Sequence, residues 1–224
     1  HVYAKVKIPR LGAVLLATII NDIPRVNARV IVEDMLADNR RVGFVERAIG
    51  QNDVICISTT TSTARRAYEI SPLASSQGQI VIMGGPHVTY FPNEALEHCQ
   101  YVIRGEADLV FPQLIQGILY SDSHLKEMRG LSWGFCGTNH CNPDAPRPTS
   151  DELSAQPIPD YDLIIEARVF GGVVSIPGQR GCPFDCEFCN VTALLGHVPR
   201  TKSAQQLITE LDHLYALGWR DSIF

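Results

Sequence analysis

Three cysteines fall within eight residues of one another in Gly181-Cys182-Pro183-Phe184-Asp185-Cys186-Glu187-Phe188-Cys189-Asn190, a C-x3-C-x2-C spacing. Thiolates set so closely can occupy three corners of a cubane, and soft sulfur donors select iron-sulfur clusters, zinc or Cu(I). The missing fourth donor narrows the choice. A closed structural zinc site takes four protein ligands, and an electron-transfer cluster takes four cysteines. No cysteine follows the loop, and the nearby candidate for a fourth ligand is His197, eight residues past Cys189. Three ligands leave one metal corner open to a substrate or cofactor. A degenerate zinc knuckle is the competing reading.

The other cysteines read differently. Seven in all is an odd number, unevenly spaced, which is no disulfide framework. Cys56, inside the apolar run Val54 to Ile57, and Cys99 are expected to be small buried hydrophobes. Cys136, His140 and Cys141 are near one another, but adjacent His140-Cys141 fits no closed zinc spacing and reads as a coincidence in a turn.

The elements that must position the cysteine loop follow from hydrophobic patterning. Leu11 to Asp22 is helix-like, Arg29 to Glu33 a short strand, and Gly43 to Ile49 a second helix. Asp53 to Ser58 is a strand, followed by a polar helix from Ser62 that Pro72 interrupts. Gln79 to Met83 is a strand ending in Gly84-Gly85-Pro86, Asn93 to His98 a short helix, Gln100 to Ile103 a strand ending in Arg104-Gly105-Glu106, and Asp108 to Leu119 a helix. Short apolar strands alternating with helices predict a doubly wound α/β domain, whose ligands bind beyond the carboxyl ends of the strands. The ends Ser58-Thr59-Thr60, Gly84-Gly85 and Gly105-Glu106 are predicted to share that edge. Glycines after strands also serve merely as turns.

Gly, Asn, Pro, Ser and Asp dominate from Gly134 to Pro159, so residues 126–170 read as a connector with at most a small hairpin around Leu131 to Phe135. Residues 1–125 precede it as one domain, and residues 171–224 follow as a second. In the second, Gly172 to Ile176 is a strand, the cysteine loop runs from Gly178 to about Pro199, and Ser203 to Leu217 is a helix. Ser203 and Gln206 form an S-x-x-Q cap, Leu207, Leu211 and Leu214 share a face, and Gly218 stops the helix. Asp221 to Phe224 begins another strand. The second domain is expected to be cut short there, and His1 in place of Met suggests trimming at the front.

Composition bounds the function. At 224 residues, 45% hydrophobic and 19% charged, the chain has enough core for one or two globular domains. A net charge of -5 argues against nucleic acid or an anionic membrane as the main partner. The longest apolar run, Leu11 to Ile20, is ten residues, half of the roughly 20 that a spanning helix needs. No signal-peptide pattern precedes it, so the chain is expected to be cytoplasmic.

Cys182-x3-Cys186-x-Phe188-Cys189 resembles the signature of the radical S-adenosylmethionine (SAM) superfamily, including the aromatic residue before the last cysteine. Pro199-Arg-Thr-Lys-Ser203 and Gly218-Trp219-Arg220 resemble the branch with an N-terminal cobalamin-binding domain. So do Gly84-Gly85-Pro86-His87 with Val102-Ile-Arg-Gly-Glu106, and Gly130-Leu-Ser-Trp133 with Asn142-Pro143 and Pro157-Ile-Pro-Asp-Tyr-Asp162. The resemblance implies a cobalamin-type Rossmann-like domain followed by the first β/α unit of a truncated radical SAM partial TIM barrel. It implies that Cys182, Cys186 and Cys189 hold a [4Fe-4S] cluster whose open iron chelates SAM, that one electron splits the sulfonium to give a 5'-deoxyadenosyl radical, and that Phe188 lies near the adenine. It further implies cobalamin contacts at Ser58, Thr59, Gly84, Gly85, Gly105 and Glu106, an electron donor such as flavodoxin or ferredoxin, and a small-molecule or lipid-like substrate.

Two departures qualify it. If Gly12 closes an Asp-x-His-x-x-Gly pattern, Lys7 and Pro9 stand in the Asp and His places, so cobalamin is expected without a protein histidine ligand, His87 being the alternative. The Gly-Gly-Glu-like SAM motif and most of the barrel would lie beyond Phe224, so this chain alone is expected to be inactive. Arg200 and Lys202 either face an anion, such as the SAM carboxylate or the cluster, or are solvated charges. The function expected is cobalamin-dependent methylation of an unactivated carbon. The alternatives are cobalamin-independent radical SAM oxidation, cyclisation or rearrangement, and a non-catalytic cobalamin-binding module.

Overall fold

A computed structural model describes residues 10–33, 43–121, 125, 127–135, 137–165, 173–219 and 222–223. In chain order the elements are α1 (Leu11–Asn21), α2 (Phe44–Ile49), β1 (Val54–Ser58), α3 (Ala64–Ser75), β2 (Ile80–Gly84), α4 (Pro86–Tyr90), α5 (Pro92–Ala95), β3 (Tyr101–Ile103) and α6 (Val110–Tyr120). There follow β4 (Leu131–Phe135), β5 (Thr138–Cys141), α7 (Ser150–Ser154), a 3-10 turn (Tyr161–Leu163), β6 (Val173–Val174), β7 (Gln179–Arg180), α8 (Val191–Leu195), β8 (Arg200–Thr201), α9 (Ala204–Ala216) and β9 (Ser222–Ile223). The chain forms two compact units, Val42–Arg147 and His1–Arg41 with Pro148–Phe224. These are units of packing, and they group residues differently from the bounds of sequence character at 125 and 170.

Val42–Arg147 is built on a five-stranded sheet of order β1-β2-β3-β4-β5. β1 to β3 run parallel, with Ser58 opposite Gly84 and Met83 opposite Val102. Val81, Ile82, Met83, Val102 and Ile103 are buried, as the unbroken apolar runs require of strands covered on both faces. β3 pairs antiparallel with β4, and β4 with β5. The expected small hairpin therefore exists, but it extends the sheet instead of lying in a connector. α6 turns Val110, Phe111, Leu114 and Ile115 inward.

Two local readings are corrected. α3 continues through Pro72; a proline near the end of a helix forfeits one amide bond, and the Pro72 carbonyl still accepts from Ser76 N–H. Arg29 to Glu33 is not a regular strand: among the described residues its ladder contact is an isolated parallel bridge between Val30 and Ile164.

In the other unit, Val14 and Ala17 of α1 share a core with Val30, Val32, Tyr161, Leu163, Ile164, Val174 and Leu214. Tyr161 Oη donates to Ser175 O at 2.9 Å. β6 and β9 pair in parallel across α9, with Val173 opposite Ser222. β6, α9 and β9 thus include a β/α/β unit with parallel strands. Ser203 caps α9 as expected, accepting from Gln206 N–H. The return arm is absent: Ser203 N–H donates to Ser154 Oγ, and Gln206 Nε2 donates to Gln156 O and Glu210 Oε1. Leu214 is 2% exposed, whereas Leu211 is 39% exposed and does not share its burial.

Candidate functional site

The parallel order of β1, β2 and β3 brings Ser58-Thr59, Gly84-Gly85 and Gly105-Glu106 to one edge of the sheet. The edge is tied together by backbone and hydroxyls. Thr59 N–H donates to Gly84 O at 2.8 Å, and its fully buried side chain donates to the same oxygen at 3.2 Å. Thr59 thus offers the edge its backbone position and no free hydroxyl. Gly85 has φ +102°, and a Cβ there would lie 2.5 Å from Thr59 O. Only glycine lets the two chains approach so closely. Thr89 Oγ1 donates to Gly85 O at 2.9 Å and accepts from Gly105 N–H at 3.0 Å, stapling the exits of β2 and β3. Patterning did not single out Thr89. Ser58 is exposed and Glu106 half-buried.

His87 follows this edge in α4 and is buried. Its N–H donates to Thr59 O at 3.3 Å, and its ring nitrogens face Thr61 Oγ1 at 3.3 Å and Glu94 Oε1 at 3.4 Å. Both nitrogens are engaged, which disfavours His87 as an axial metal ligand. The Tyr68 hydroxyl and then the His87 ring hold the Glu94 carboxyl below its ordinary value, while burial, then Glu94, pushes the Tyr68 phenol up.

The cysteine loop is organised from its neck. β7 and β8 pair antiparallel, Gln179 opposite Thr201 and Arg180 opposite Arg200, closing residues 181–199 into one loop. Cys182 N–H donates to Gly196 O at 3.1 Å, and Cys189 N–H to Cys186 O at 3.0 Å. Gly181 has φ +86°, with a Cβ position 2.5 Å from Val198 O. Cys182 and Cys189 are half-buried, Cys186 is exposed, and none is in a disulfide. Phe188 is 94% exposed. Among the described residues no three His, Cys, Asp or Glu side chains stand at metal-holding separation, so the three thiols do not converge in this conformation. The donor set nevertheless fits a cluster with one open corner: three accessible soft ligands on one short, closed loop.

Arg200 and Lys202 are neither solvated nor turned to an open anion site. Arg200 is 9% exposed and donates to Pro148 O at 2.8 Å and Leu195 O at 2.7 Å. Lys202 Nζ meets Glu210 Oε1 at 2.5 Å, both side chains being 2% exposed. Beneath the neck, Thr201 N–H donates to Ser150 Oγ at 3.2 Å and Ser203 N–H to Ser154 Oγ at 2.8 Å. Residues read as connector therefore support the loop. A T-x-x-E box at Thr149 and Glu152, legible but overlooked, fixes α7 for that task.

The remaining cysteines and histidines divide. Cys99 is buried as expected, its thiol pushed up to about 12 by that burial. Cys56 is corrected: its side chain reaches solvent on β1, although the protein mass around it still raises its thiol to about 12. His140 stacks on Trp133 with ring centroids 4.2 Å apart, Cys141 is exposed, and Cys136 lies outside the described residues.

Comparison with known proteins agrees with this geometry. The B12 binding domain family matches residues 2–115. An uncharacterized methyltransferase of Pyrococcus horikoshii is 32% identical over 220 residues, covering 92% of this chain and 46% of its own length. Bacteriochlorophyllide d C-12(1)-methyltransferase of Chlorobaculum tepidum is 26% identical over 184 residues, covering 78% of this chain and 35% of its own length. The chain thus spans less than half the length of these relatives. The radical SAM methyltransferase TsrM of Kitasatospora setae, solved with tryptophan substrate and a SAM analog, superposes with a TM-score of 0.75 at 17% identity, covering 96% of this chain and 44% of that one. Its fold is shared. With its glycine-tied sheet edge and a domain match over half its length, the chain belongs to the B12-binding domain family.

Proposed function

We propose that the chain carries the cobalamin-holding and cluster-holding portions of a radical SAM enzyme that methylates an unactivated carbon of a small or lipid-like molecule. The observation that carries this reading is the pairing, in one chain, of a B12-binding domain with a C-x3-C-x2-C loop at the head of a β/α/β unit. When bound, a [4Fe-4S] cluster supplies one-electron chemistry toward SAM and cobalamin supplies methyl carriage.

The chain's residues divide that work. Cys182, Cys186 and Cys189 would hold three irons, and Phe188 would offer its ring to the adenine of SAM. Ser58, Thr59, Gly84, Gly85, Gly105 and Glu106 would form the floor on which the corrin lies, with no histidine on cobalt. The domain division at 125 and 170, an electron donor of the flavodoxin or ferredoxin kind and a cytoplasmic setting belong to the same reading. Among the described residues no helix is long and apolar enough to cross a membrane.

Anaerobic reconstitution of the full-length protein tests it. About four irons per chain and an EPR signal altered by SAM are expected, lost when any of the three cysteines becomes alanine, together with a bound corrinoid spectrum after incubation with hydroxocobalamin. Tight zinc in place of iron, or no corrinoid retained, overturns it.

A further inference from the structure

The cysteine loop holds a second pattern inside the first. Cys186-Glu187-Phe188-Cys189 is a C-x-x-C, the spacing of dithiols that convert reversibly to a disulfide. The two cysteines are the ends of one hydrogen-bonded turn, in which Cys189 N–H donates to Cys186 O at 3.0 Å. The first and last Cα atoms of such a turn lie within about 7 Å of each other, and a disulfide spans about 4.4–6.8 Å between Cα atoms. Glu187 and Phe188, at the centre of the turn, are both exposed, so the turn can tighten without disturbing packing. We infer that Cys186 and Cys189 of the cluster-free chain form a reversible disulfide, and that this disulfide blocks cluster loading until a dithiol reduces it. The disulfide stands on the turn, and its bearing on loading rests on the cluster-holding role proposed for the loop.

The pairing is selective. Cys182 is held at the neck, its N–H bonded across the loop to Gly196 O at 3.1 Å and its neighbour Gly181 pressed against Val198 O. It lies outside the turn that brings the other two together. Cys99 is buried. Cys56 and Cys141 are exposed, but they sit on β1 and β5, the first and last strands of the five-stranded sheet. Four strand spacings separate them by about 19 Å, far beyond the reach of a disulfide.

Exposure and charge order the chemistry. Cys186 is exposed and Cys189 half-buried, so an oxidant meets Cys186 first. Asp185 and Glu187 flank Cys186 with exposed carboxylates, which favours an uncharged oxidant such as hydrogen peroxide over glutathione disulfide, itself an anion. Peroxide converts the Cys186 sulfur to a sulfenic acid and leaves as one water. The Cys189 sulfur then forms the S–S bond, and the sulfenic oxygen departs as a second water. Two thiols give up two electrons and two protons, and one peroxide becomes two waters. A dithiol reverses the step by exchange and departs as its own cyclic disulfide. Closure withdraws two of the three ligands, and it stops Cys186 short of the sulfinic acid from which thiols do not return.

Full-length protein freed of iron and treated with hydrogen peroxide tests this. Free thiols are blocked with iodoacetamide, the disulfide is reduced, and the released thiols are labelled with N-ethylmaleimide. Arg180 and Arg200 bracket the loop with no Lys or Arg between them, so trypsin leaves all three cysteines in one peptide for mass spectrometry. Maleimide is expected on Cys186 and Cys189, and iodoacetamide on Cys182. C182A is expected to keep that maleimide pair, and C186A and C189A to lose it, with C189A carrying sulfinic acid at Cys186. C186A alters an exposed side chain, so it reads out even if C189A disturbs the turn. Oxidised protein, offered a scaffold protein loaded with a [4Fe-4S] cluster in thiol-free buffer, is expected to take up no iron, and dithiothreitol to restore about four irons per chain. If maleimide falls on Cys182, or the wild type goes to sulfinic acid as C189A does, the inference falls and the cluster reading survives. If oxidised protein loads as fully as reduced protein, the block on loading falls. If the disulfide maps as expected but reduced protein accepts no cluster, the cluster reading falls and takes the block with it.

Discussion

The sheet edge and the cysteine loop are built on opposite plans. At the edge, backbone meets backbone: Gly85 against Thr59, with Thr89 bridging two strand exits. Its shape is set before any ligand arrives. The loop is fixed only at its neck, by β7–β8, Gly181 and the hydroxyls of α7, and it leaves its thiols apart and in reach of solvent. A large, rigid organic cofactor gains from a preformed surface, since ordering costs are then met in folding. A cluster brings its own geometry and draws its ligands to it, so a loop with a firm neck suffices.

This contrast can be tested at several strengths. Iodoacetamide at neutral pH separates buried from accessible thiols most sharply. With its thiol near 12 against an ordinary value of about 8.5, Cys99 is expected to react about a thousandfold more slowly than an unperturbed exposed cysteine. Cys186 is expected to be labelled early and to be protected after iron-sulfur reconstitution, as read by mass spectrometry. Equal labelling of Cys99 would show that the core beside β3 opens readily.

Lys202→Met comes next. It strands Glu210 in a site 2% exposed and is expected to cost about 3–5 kcal/mol in urea unfolding, with much of the loss restored in K202M/E210L. G85A and G181A are each expected to cost about 1–3 kcal/mol, since both force a side chain onto a positive φ and into a carbonyl oxygen. Their ligand phenotypes should diverge, with G85A losing hydroxocobalamin but assembling iron and G181A doing the reverse. If both lose both, the two regions are one cooperative site and the comparison fails.

The smallest effect lies at Thr149. T149A is expected to cost about 1 kcal/mol through loss of the α7 cap. Bonds from the Thr149 N–H and then its hydroxyl hold the Glu152 carboxyl below its ordinary value. The carboxylate therefore favours the folded state fully above the unfolded value of about 4.3, and that contribution disappears as pH falls through the lower folded value. The gap between wild type and T149A should narrow accordingly in acid.

Much of this was legible because it follows from local pattern. Apolar runs at Val54, Ile80 and Tyr101 gave strands, and their glycine and hydroxyl endings marked one edge. Ser203 marked a helix start, and the cysteine spacing marked the loop. Apart from the local box at Thr149 and Glu152, what escaped depended on contacts across the sequence. Arg200 and Lys202 carry charge, and charge near a loop reads as solvated until its partners are known; those partners are Pro148, Leu195 and Glu210. The hairpin at Leu131 reads as an isolated turn until β3 is seen to pair with it. Cys56 reads as core from its neighbours in sequence, and strand alternation alone does not say which face is covered. The role of Thr89 depends on two glycines whose positions only the assembled sheet reveals.

Arg200 has one further consequence. Its guanidinium grips Leu195 inside the loop with one arm and Pro148, just ahead of α7, with the other. A clip of this kind couples two stretches of chain: a displacement of Leu195, at the end of α8, is expected to be felt at Pro148, to which the same guanidinium is bonded. A fluorophore placed beside Pro148 is expected to register a rearrangement of the cysteine loop, giving an optical gauge that touches none of its three thiols.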